Sequence, residues 1–396
     1  MYAGGGDKAG AGDSGGIERK QMEKEFDLQE YITTGVEHFV KASLKAALKN
    51  PRESAFLASF AIAAKKAAGY RRKREAEGLH IPAFLITSIT GSCNLHCEGC
   101  YSRSTHETTD SKPEGQLSDD EWADIFAEAK GLGISFIVLA GGEPLLRKGV
   151  IEAAAKTQGM LFPVFTNGVF LNGPYLDLFN KHRNLLPVLS MEGDREVTDS
   201  RRGDGIYDLV VKNMDKLKSK GIVFGASVTV TKENINEVFS DDFINDLSEK
   251  GVKFLFYVEY VPVGGHAEET APDDTDRAFM KDRVAMLRQS YDDMVFVSIP
   301  GDENASGGCL AAGRGFFHIN SHGDAESCPM SPYSDVNVRD ASIEEALKSP
   351  LFAELKEKGL LAEEHKGGCA LAGKEALVRE LAEKFREGII TINGYE

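Results

Sequence analysis

The chain has 396 residues, enough for two or three domains of ordinary size. Its 46 Lys and Arg against 62 Asp and Glu leave a net charge of −16, which excludes a protein built to wrap nucleic acid, because a phosphate backbone calls for a basic surface. A hydrophobic content of 42% excludes a wholly disordered chain, and six cysteines are too few for a disulfide scaffold.

Residues 1–16 hold seven glycines and lack the apolar core of a secretory signal, so they read as a flexible tail. Residues 17–80 read as helices. Val36, Phe39, Val40, Leu44, Ala47 and Leu48 recur at helical spacing, and Asn50-Pro51 stops that helix. A second helix is expected from about Arg52 to Glu77, ending at Gly78. Between His38 and Gly78 there are ten Lys or Arg and three Asp or Glu, a local excess of +7. That excess is either the solvated face of a helical pair packed on the main domain, or a contact for an anionic partner such as a membrane surface. The longest apolar stretch, residues 55–64, is shorter than the roughly 20 residues that span a bilayer. A cytoplasmic location is expected, where thiols stay reduced.

From Ile81 strands and helices alternate. Strands are expected at 83–90, 134–140, 161–165, 187–191, 223–229 and 253–260. Helices are expected at 118–130, 150–157, 175–182, 207–218 and 234–250, with Ser118 and Glu121 forming a capping-box pattern. Six βα-type strands in order give the fold class: α/β, a partial (β/α)6 barrel over 81–300, with an N-terminal helical extension at 17–80 and a distinct region at 301–396. In such sheets the active site lies at the carboxyl ends of the strands. Beyond Pro262 the pattern weakens. Helices are expected at 278–291, 343–358 and 374–387, around a Gly-, Ser- and Pro-rich stretch.

The cysteines fall in two sets of three. Cys93, Cys97 and Cys100 form C-x3-C-x2-C after the first strand. Three thiolates within eight residues can wrap one soft metal centre. Zinc would call for a fourth ligand, for which His96 and His106 are near, whereas an iron–sulfur cube held by three cysteines keeps one iron open for reaction. Cys309, Cys328 and Cys369 form the second set, with Gly323 placed between the first two where a hairpin turn would return the chain.

The stretch G-S-C-N-L-H-C-E-G-C-Y-S resembles the cluster loop of the radical S-adenosylmethionine (radical SAM) superfamily. The downstream turns fit that family in order. Gly141-Gly142-Glu143-Pro144 is similar to the turn that holds the methionine amino group of SAM. Thr166-Asn167-Gly168 is similar to the turn after the third strand. Ser190 sits where the family places a ribose contact, although its hydroxyl could also be satisfied by backbone. Arg201 or Arg202 resembles the arginine that pairs with the SAM carboxylate. The family often carries an aromatic residue just before the third cysteine. Here that position is Gly99, so adenine packing is expected to rest on other residues, with Val261 a candidate. The second set, with its intervening glycine, resembles the opening of the SPASM/twitch extension. The resemblance implies an auxiliary [4Fe–4S] cluster on Cys309, Cys328 and Cys369, for which His318, His322 and Asp324 are candidate fourth ligands.

The resemblance further implies reductive cleavage of SAM at a [4Fe–4S] cluster on Cys93, Cys97 and Cys100, and hydrogen abstraction from a substrate C–H bond by a 5′-deoxyadenosyl radical. The electron would come from a low-potential donor such as flavodoxin or ferredoxin. Glu259 and Tyr260, with Tyr257, are the candidates for positioning substrate or accepting a proton at the end of the sixth strand. The expected reaction is oxidation or rearrangement of a small molecule. A ribosomal-peptide maturase is the alternative, and a non-catalytic iron–sulfur electron carrier is the alternative of another class. The carrier would have no use for the Gly141–Glu143 turn or for the arginine pair.

Overall fold

A computed structural model of the chain describes residues 51–393 apart from 112, 264–266, 307 and 362–367. The glycine-rich tail, the first expected helix and the part of the basic stretch before residue 51 lie outside the described residues.

The strands are β1 (Phe84–Ser88), β2 (Phe136–Ala140), β3 (Phe162–Thr166), β4 (Leu185–Ser190), β5 (Gly225–Val230), β6 (Phe254–Glu259), β7 (Val295–Ile299), β8 (His318–Ile319), β9 (Asp324–Glu326) and β10 (Val336–Asn337). They form one sheet in the order β10-β9-β8-β1-β2-β3-β4-β5-β6-β7. From β1 to β7 every neighbour is parallel, and the sheet does not close, as in a partial barrel. The six expected strands are all present. The structure adds a seventh, β7, paired with β6 along Phe254–Val258. It also adds β8, which runs parallel to the free edge of β1 through Ile86 and Thr87. The expected hairpin follows: β8 turns through residues 320–323 into antiparallel β9, and Gly323 has φ +95° with its N–H donating to the Asn320 carbonyl at 3.1 Å.

Helices cover the outer face. The helix Asp119–Gly131 begins at Ser118 with the expected capping box. Two expected helices are broken by local chemistry. The stretch 234–250 divides into Ile235–Val238 and Asp241–Lys250, because Ser240 caps the second piece. The stretch 343–358 divides at Ser349-Pro350, a capping serine followed by a proline that starts a new helix.

The helix Pro51–Ala76 closes the amino-terminal end of the sheet. Its Leu57, Phe60, Ala64, Ala68 and Arg71 share one buried face. Phe60 and Ala64 pack with Leu161, Leu186, Val188, Phe254 and Val295, at the starts of β3, β4, β6 and β7. Burying one such phenylalanine contributes about 1.5–3 kcal/mol. Glu53 pairs with Arg183 in this interface, and Arg71 donates to the Ser135 hydroxyl at 3.1 Å. The described helix is packed on the sheet, with Lys65, Lys66, Arg72 and Lys73 left exposed. Among the described residues no helix is long and apolar enough to cross a membrane. With one end of the barrel occupied by this helix, the carboxyl ends of the strands remain for the site.

Candidate active site

Cys93, Cys97 and Cys100 lie on the loop from β1 to the short helix Tyr101–Ser104. The loop is pinned from several sides. The Cys93 N–H donates to the Thr109 carbonyl at 3.2 Å, the Cys100 N–H to the Cys97 carbonyl at 3.3 Å, and the Glu98 N–H to the Arg201 carbonyl at 2.9 Å. Arg103, which sequence reasoning did not single out, folds back to give Leu95 carbonyl two hydrogen bonds of 2.7 and 3.1 Å. It also pairs with Asp110 at 2.9 Å.

The Gly141-Gly142-Glu143 turn docks directly on this loop. The Gly142 N–H donates to Thr90 carbonyl at 2.7 Å and the Glu143 N–H to Ser92 carbonyl at 2.8 Å. A methyl group at Gly141 would lie 2.4 Å from the Thr90 oxygen, and one at Gly142 would lie 2.1 Å from the Ser92 oxygen. No larger residue fits either place, which explains the pair of glycines. The Glu143 carboxylate is buried and accepts from the Thr166 hydroxyl at 2.7 Å, the Asn167 N–H at 2.9 Å and the Leu145 N–H at 2.9 Å. Burial pushes its pKa up, opposed by these donors and by Arg202. The Asn167 amide donates to Asn94 of the cluster loop at 3.0 Å, so the turns after β1, β2 and β3 form one network. Ser190 at the end of β4 receives the Ser227 hydroxyl at 3.3 Å.

Arg201 and Arg202 converge on Glu192, which is fully buried. Arg202 Nε donates to Glu192 at 2.7 Å, Arg201 donates to the Thr229 hydroxyl at 3.0 Å, and the Thr229 N–H donates to Glu192 at 2.8 Å. Arg202 Nη1 reaches Cys97 Sγ at 4.0 Å. Glu192 is therefore the anchor of the arginine pair. Its signal in the sequence was slight, an acidic residue two positions after Ser190. Of the two arginines, Arg202 is the one whose guanidinium touches a cluster-loop cysteine.

The candidates on the sixth strand separate. Tyr257 points away from the cluster loop: its ring stacks on Phe239 and its hydroxyl donates to Val238 carbonyl at 2.8 Å. Glu259, on the same face of β6 by strand alternation, is buried and pairs with Arg277 of the helix Asp274–Ser290 at 2.7 Å. It lines a cavity of about 200 Å³ beside Gly368 rather than meeting the cluster loop. Tyr260 does reach that loop. A methyl group at Gly99, which has φ +62°, would lie 2.6 Å from Tyr260 Cε2. The aromatic ring absent at position 99 is thus supplied in space by Tyr260. Val261 follows it, also buried.

The second cysteine set gathers from three loops. Cys309 is buried, with its N–H on Leu361 carbonyl at 2.9 Å, and Cys328 follows β9. Burial raises the Cys328 pKa well above the usual thiol value, and the Cys369 and Cys309 sulfurs add to it. All three are therefore within electrostatic reach. His318, His322 and Asp324 are committed elsewhere. Both His318 ring nitrogens are engaged, by Glu326 at 2.6 Å and Ser88 at 2.8 Å. His322 meets Glu114 carbonyl at 3.2 Å, and Asp324 accepts from Asn337 at 3.1 Å. Burial first, then the charges of Cys100 and Cys328, push the Tyr101 pKa up.

The cysteine loop fits the group that the resemblance implies. Cys93, Cys97 and Cys100 sit on one loop within electrostatic reach of one another, and three thiols so grouped are the donor set an iron–sulfur cube uses.

Comparison with known proteins agrees. Residues 87–243 match the radical SAM superfamily. The AdoMet-dependent heme synthase of Methanosarcina barkeri (strain Fusaro) is 26% identical, covering 73% of this chain and 88% of that protein. The mycofactocin maturase MftC of Mycobacterium ulcerans is 28% identical, covering 79% of this chain and 86% of that one. The crystal structure of Streptococcus suis SuiB bound to S-adenosylmethionine superposes with a TM-score of 0.62 at 18% identity, over 86% of this chain and 84% of that chain, and so shares the fold. Residues 87–243 are a radical SAM domain, and this domain implies an enzyme that uses a [4Fe–4S] cluster and SAM.

Proposed function

We propose that the chain is a radical SAM enzyme with an auxiliary [4Fe–4S] cluster on Cys309, Cys328 and Cys369, and that it oxidises or rearranges a small organic molecule at an unactivated C–H bond. One observation carries the reading. The hairpin β8–β9, which leads to Cys328, is stitched to β1, the strand that delivers the first cluster loop, so one buried sheet carries cysteines of both sets. A second redox centre placed there suits uptake of the electron that a substrate radical must lose.

Cys93, Cys97 and Cys100 would hold the first cluster. Bound there with SAM, it supplies the electron that cleaves SAM to methionine and a 5′-deoxyadenosyl radical, the species that takes hydrogen from substrate. The chain's own residues do the rest. The Gly141–Glu143 turn presents backbone at the strand end, and Glu143 fixes that turn through Thr166, Asn167 and Leu145. Arg202, oriented by Glu192, offers a guanidinium suited to a carboxylate. Ser190 and Ser227 offer hydroxyls on one face, and Tyr260 covers Gly99 and shields the loop. The packed helix Pro51–Ala76 closes the far end against water. A low-potential donor such as flavodoxin or ferredoxin supplies the electron, in a reducing cytoplasm.

A second reading, maturation of a ribosomal peptide, is favoured by the similarity to a mycofactocin maturase over most of both chains. Anaerobic reconstitution with dithionite and SAM tests the common core: 5′-deoxyadenosine is expected, and none from a fully loaded protein would overturn it. Adding iron-coproporphyrin or a small-peptide panel then separates the substrates by which one accelerates 5′-deoxyadenosine release and changes mass. Stimulation by peptide alone would overturn the small-molecule reading.

A further inference from the structure

A cavity of about 200 Å³ lies at the β7 edge of the sheet, on the face opposite Ser190 and Ser227. Strand register shows the separation. Ser227 pairs with Ser190 and is level with Phe256 of β6, whereas Ser298 of β7 is level with Tyr257. Tyr257, Glu259 and Ser298 therefore share the other face, under the helix Asp274–Ser290. That helix turns Asp274, Arg277, Ala278 and Lys281 to the cavity, the i, i+3, i+4 and i+7 positions of one stripe. Gly368 covers the ion pair inside: a methyl group there would lie 3.2 Å from Arg277 Nη2 and 3.5 Å from Glu259 Oε1.

The polar groups of the cavity are not all spent on one another. Arg277 holds both carboxylates, Glu259 at 2.7 Å and Asp274 at 3.3 Å. Lys281 is exposed at the rim and, among the described residues, makes no hydrogen bond or ion pair. Ser298 is only 5% exposed, and its hydroxyl likewise has no partner among them. Its backbone is fixed, since its N–H donates to Asp302 at 2.9 Å, and a methyl group at Gly301 would lie 2.4 Å from the hydroxyl oxygen. A buried hydroxyl without a partner is unfavourable. The groups left to a ligand are thus an ammonium and a hydroxyl, both able to donate, beside a guanidinium. Their complement is an anionic acceptor.

We propose that this cavity is a second ligand site, which binds the carboxylate of a small free acid through Lys281 and Ser298, with Arg277 behind them. A carboxylate brings one negative charge to the one unpaired ammonium of the lining, whereas a phosphoryl group brings about two. Met280 and Pro300 supply an apolar wall for the body of the acid. At about 30 Å³ per water, the cavity has the room of roughly seven waters, which suits a ligand of few carbons. The site stands independently of both clusters and of the reaction proposed above.

The test is calorimetric titration of the full chain with benzoate. Saturable binding is expected, with uncharged benzamide weaker by tenfold or more. Lys281→Ala and Ser298→Ala should each weaken benzoate by about tenfold, the order expected when a hydrogen bond to a charged group is lost, with the melting temperature not lowered. Lys281→Arg should retain binding. Lys212→Ala removes the same charge from an exposed position on the helix Ile206–Ser219 and should bind as the parent does. The triple variant Cys93→Ala, Cys97→Ala, Cys100→Ala should also bind as the parent does, and loss of binding there would place the ligand at the cluster loop and overturn the proposal. Absence of saturable binding, or parental affinity in both Lys281→Ala and Ser298→Ala, would overturn it as well. Inorganic phosphate bound in preference to benzoate would overturn the assignment to a carboxylate.

Discussion

The tightest steric demand at the site is at Gly142, and Gly142→Ala tests it. Gly142 is not among the glycines with positive φ, so alanine meets no backbone strain there and the effect is purely one of contact. The new methyl would sit 2.1 Å from the Ser92 carbonyl oxygen and 3.0 Å from the Cys93 nitrogen. Ordinary contact requires a retreat of about 1 Å. Neither partner can give way alone. The turn is tied to the cluster loop by hydrogen bonds of 2.7 Å at Gly142 and 2.8 Å at Glu143. Overpacking of this kind costs about 1–3 kcal/mol, and each of the two hydrogen bonds contributes about 0.5–1.5 kcal/mol, so the loop is destabilised by about 2–5 kcal/mol. That is enough to open the loop locally while the core stays folded. Reconstituted iron should fall from about eight to about four per chain, with loss of 5′-deoxyadenosine production and a nearly unchanged melting temperature. Gly69→Ala is the control, since nothing lies within 4 Å of a methyl there. Full iron and undiminished SAM cleavage in Gly142→Ala would refute the claim that this turn and the cluster loop are one rigid unit.

Two further outcomes are expected. Gly99→Ala should be harmful twice over, through its φ of +62° and through contact with Tyr260 at 2.6 Å. The left-handed conformation alone costs about 1–2 kcal/mol. Tyr260→Leu in the same chain should recover the steric part, and SAM affinity by calorimetry reads both; equal losses in the single and double variants would show that Tyr260 does not cover the loop. Glu107 has a pKa raised from the usual 4.5 to about 7, first by burial and then by Glu326, with Asp324 adding and His318 opposing. The folded state therefore holds a proton that the unfolded chain has released. Stability is full below the unfolded value and falls as pH rises from 4.5 to about 7. Glu107→Gln should remove roughly 1–3 kcal/mol of that fall, measured as the difference in denaturant stability between the two proteins across the window. Parallel pH profiles would refute it.

What could be read from the sequence divides along physical lines. Local signals were legible: the βα alternation, the Ser118 capping box and the glycine of the β8–β9 turn. β7 escaped because Val295–Ile299 is a short edge strand after a long helix, beyond the six strands of the regular alternation, although Pro300-Gly301 marks its end. The sixth-strand candidates were grouped by proximity in sequence, yet strand alternation turns Tyr257 and Glu259 toward the flanking helices, and only Tyr260, just beyond the strand, reaches the cluster loop. Glu192 was passed over because it works through partners the chain brings back from elsewhere. The ring that fills the space beside Gly99 comes from 161 positions away, so reading the motif at positions 97–100 alone shows a gap that the fold fills.

The place of β1 connects these observations. On one edge it pairs with β2, whose end carries the Gly141–Glu143 turn; on the other it pairs with β8, which leads through the hairpin to Cys328; at its own end it carries Cys93, Cys97 and Cys100. Thr87 bonds to both neighbours through the backbone register and donates its hydroxyl to Val138 carbonyl at 2.9 Å, inside a core it shares with no solvent. His318 of β8 ties Ser88 of β1 to Glu326 of β9 through its two ring nitrogens. A change in the spacing of the cluster loop and the β8–β9 hairpin would have to pass through this buried strand. The sheet thus fixes the spacing of the strand ends that carry the two cysteine sets, and with the auxiliary cluster proposed above, electron transfer between centres would depend on that spacing being constant. A C-terminal region attached by a linker would not secure it; a region hydrogen-bonded into the barrel's first strand does.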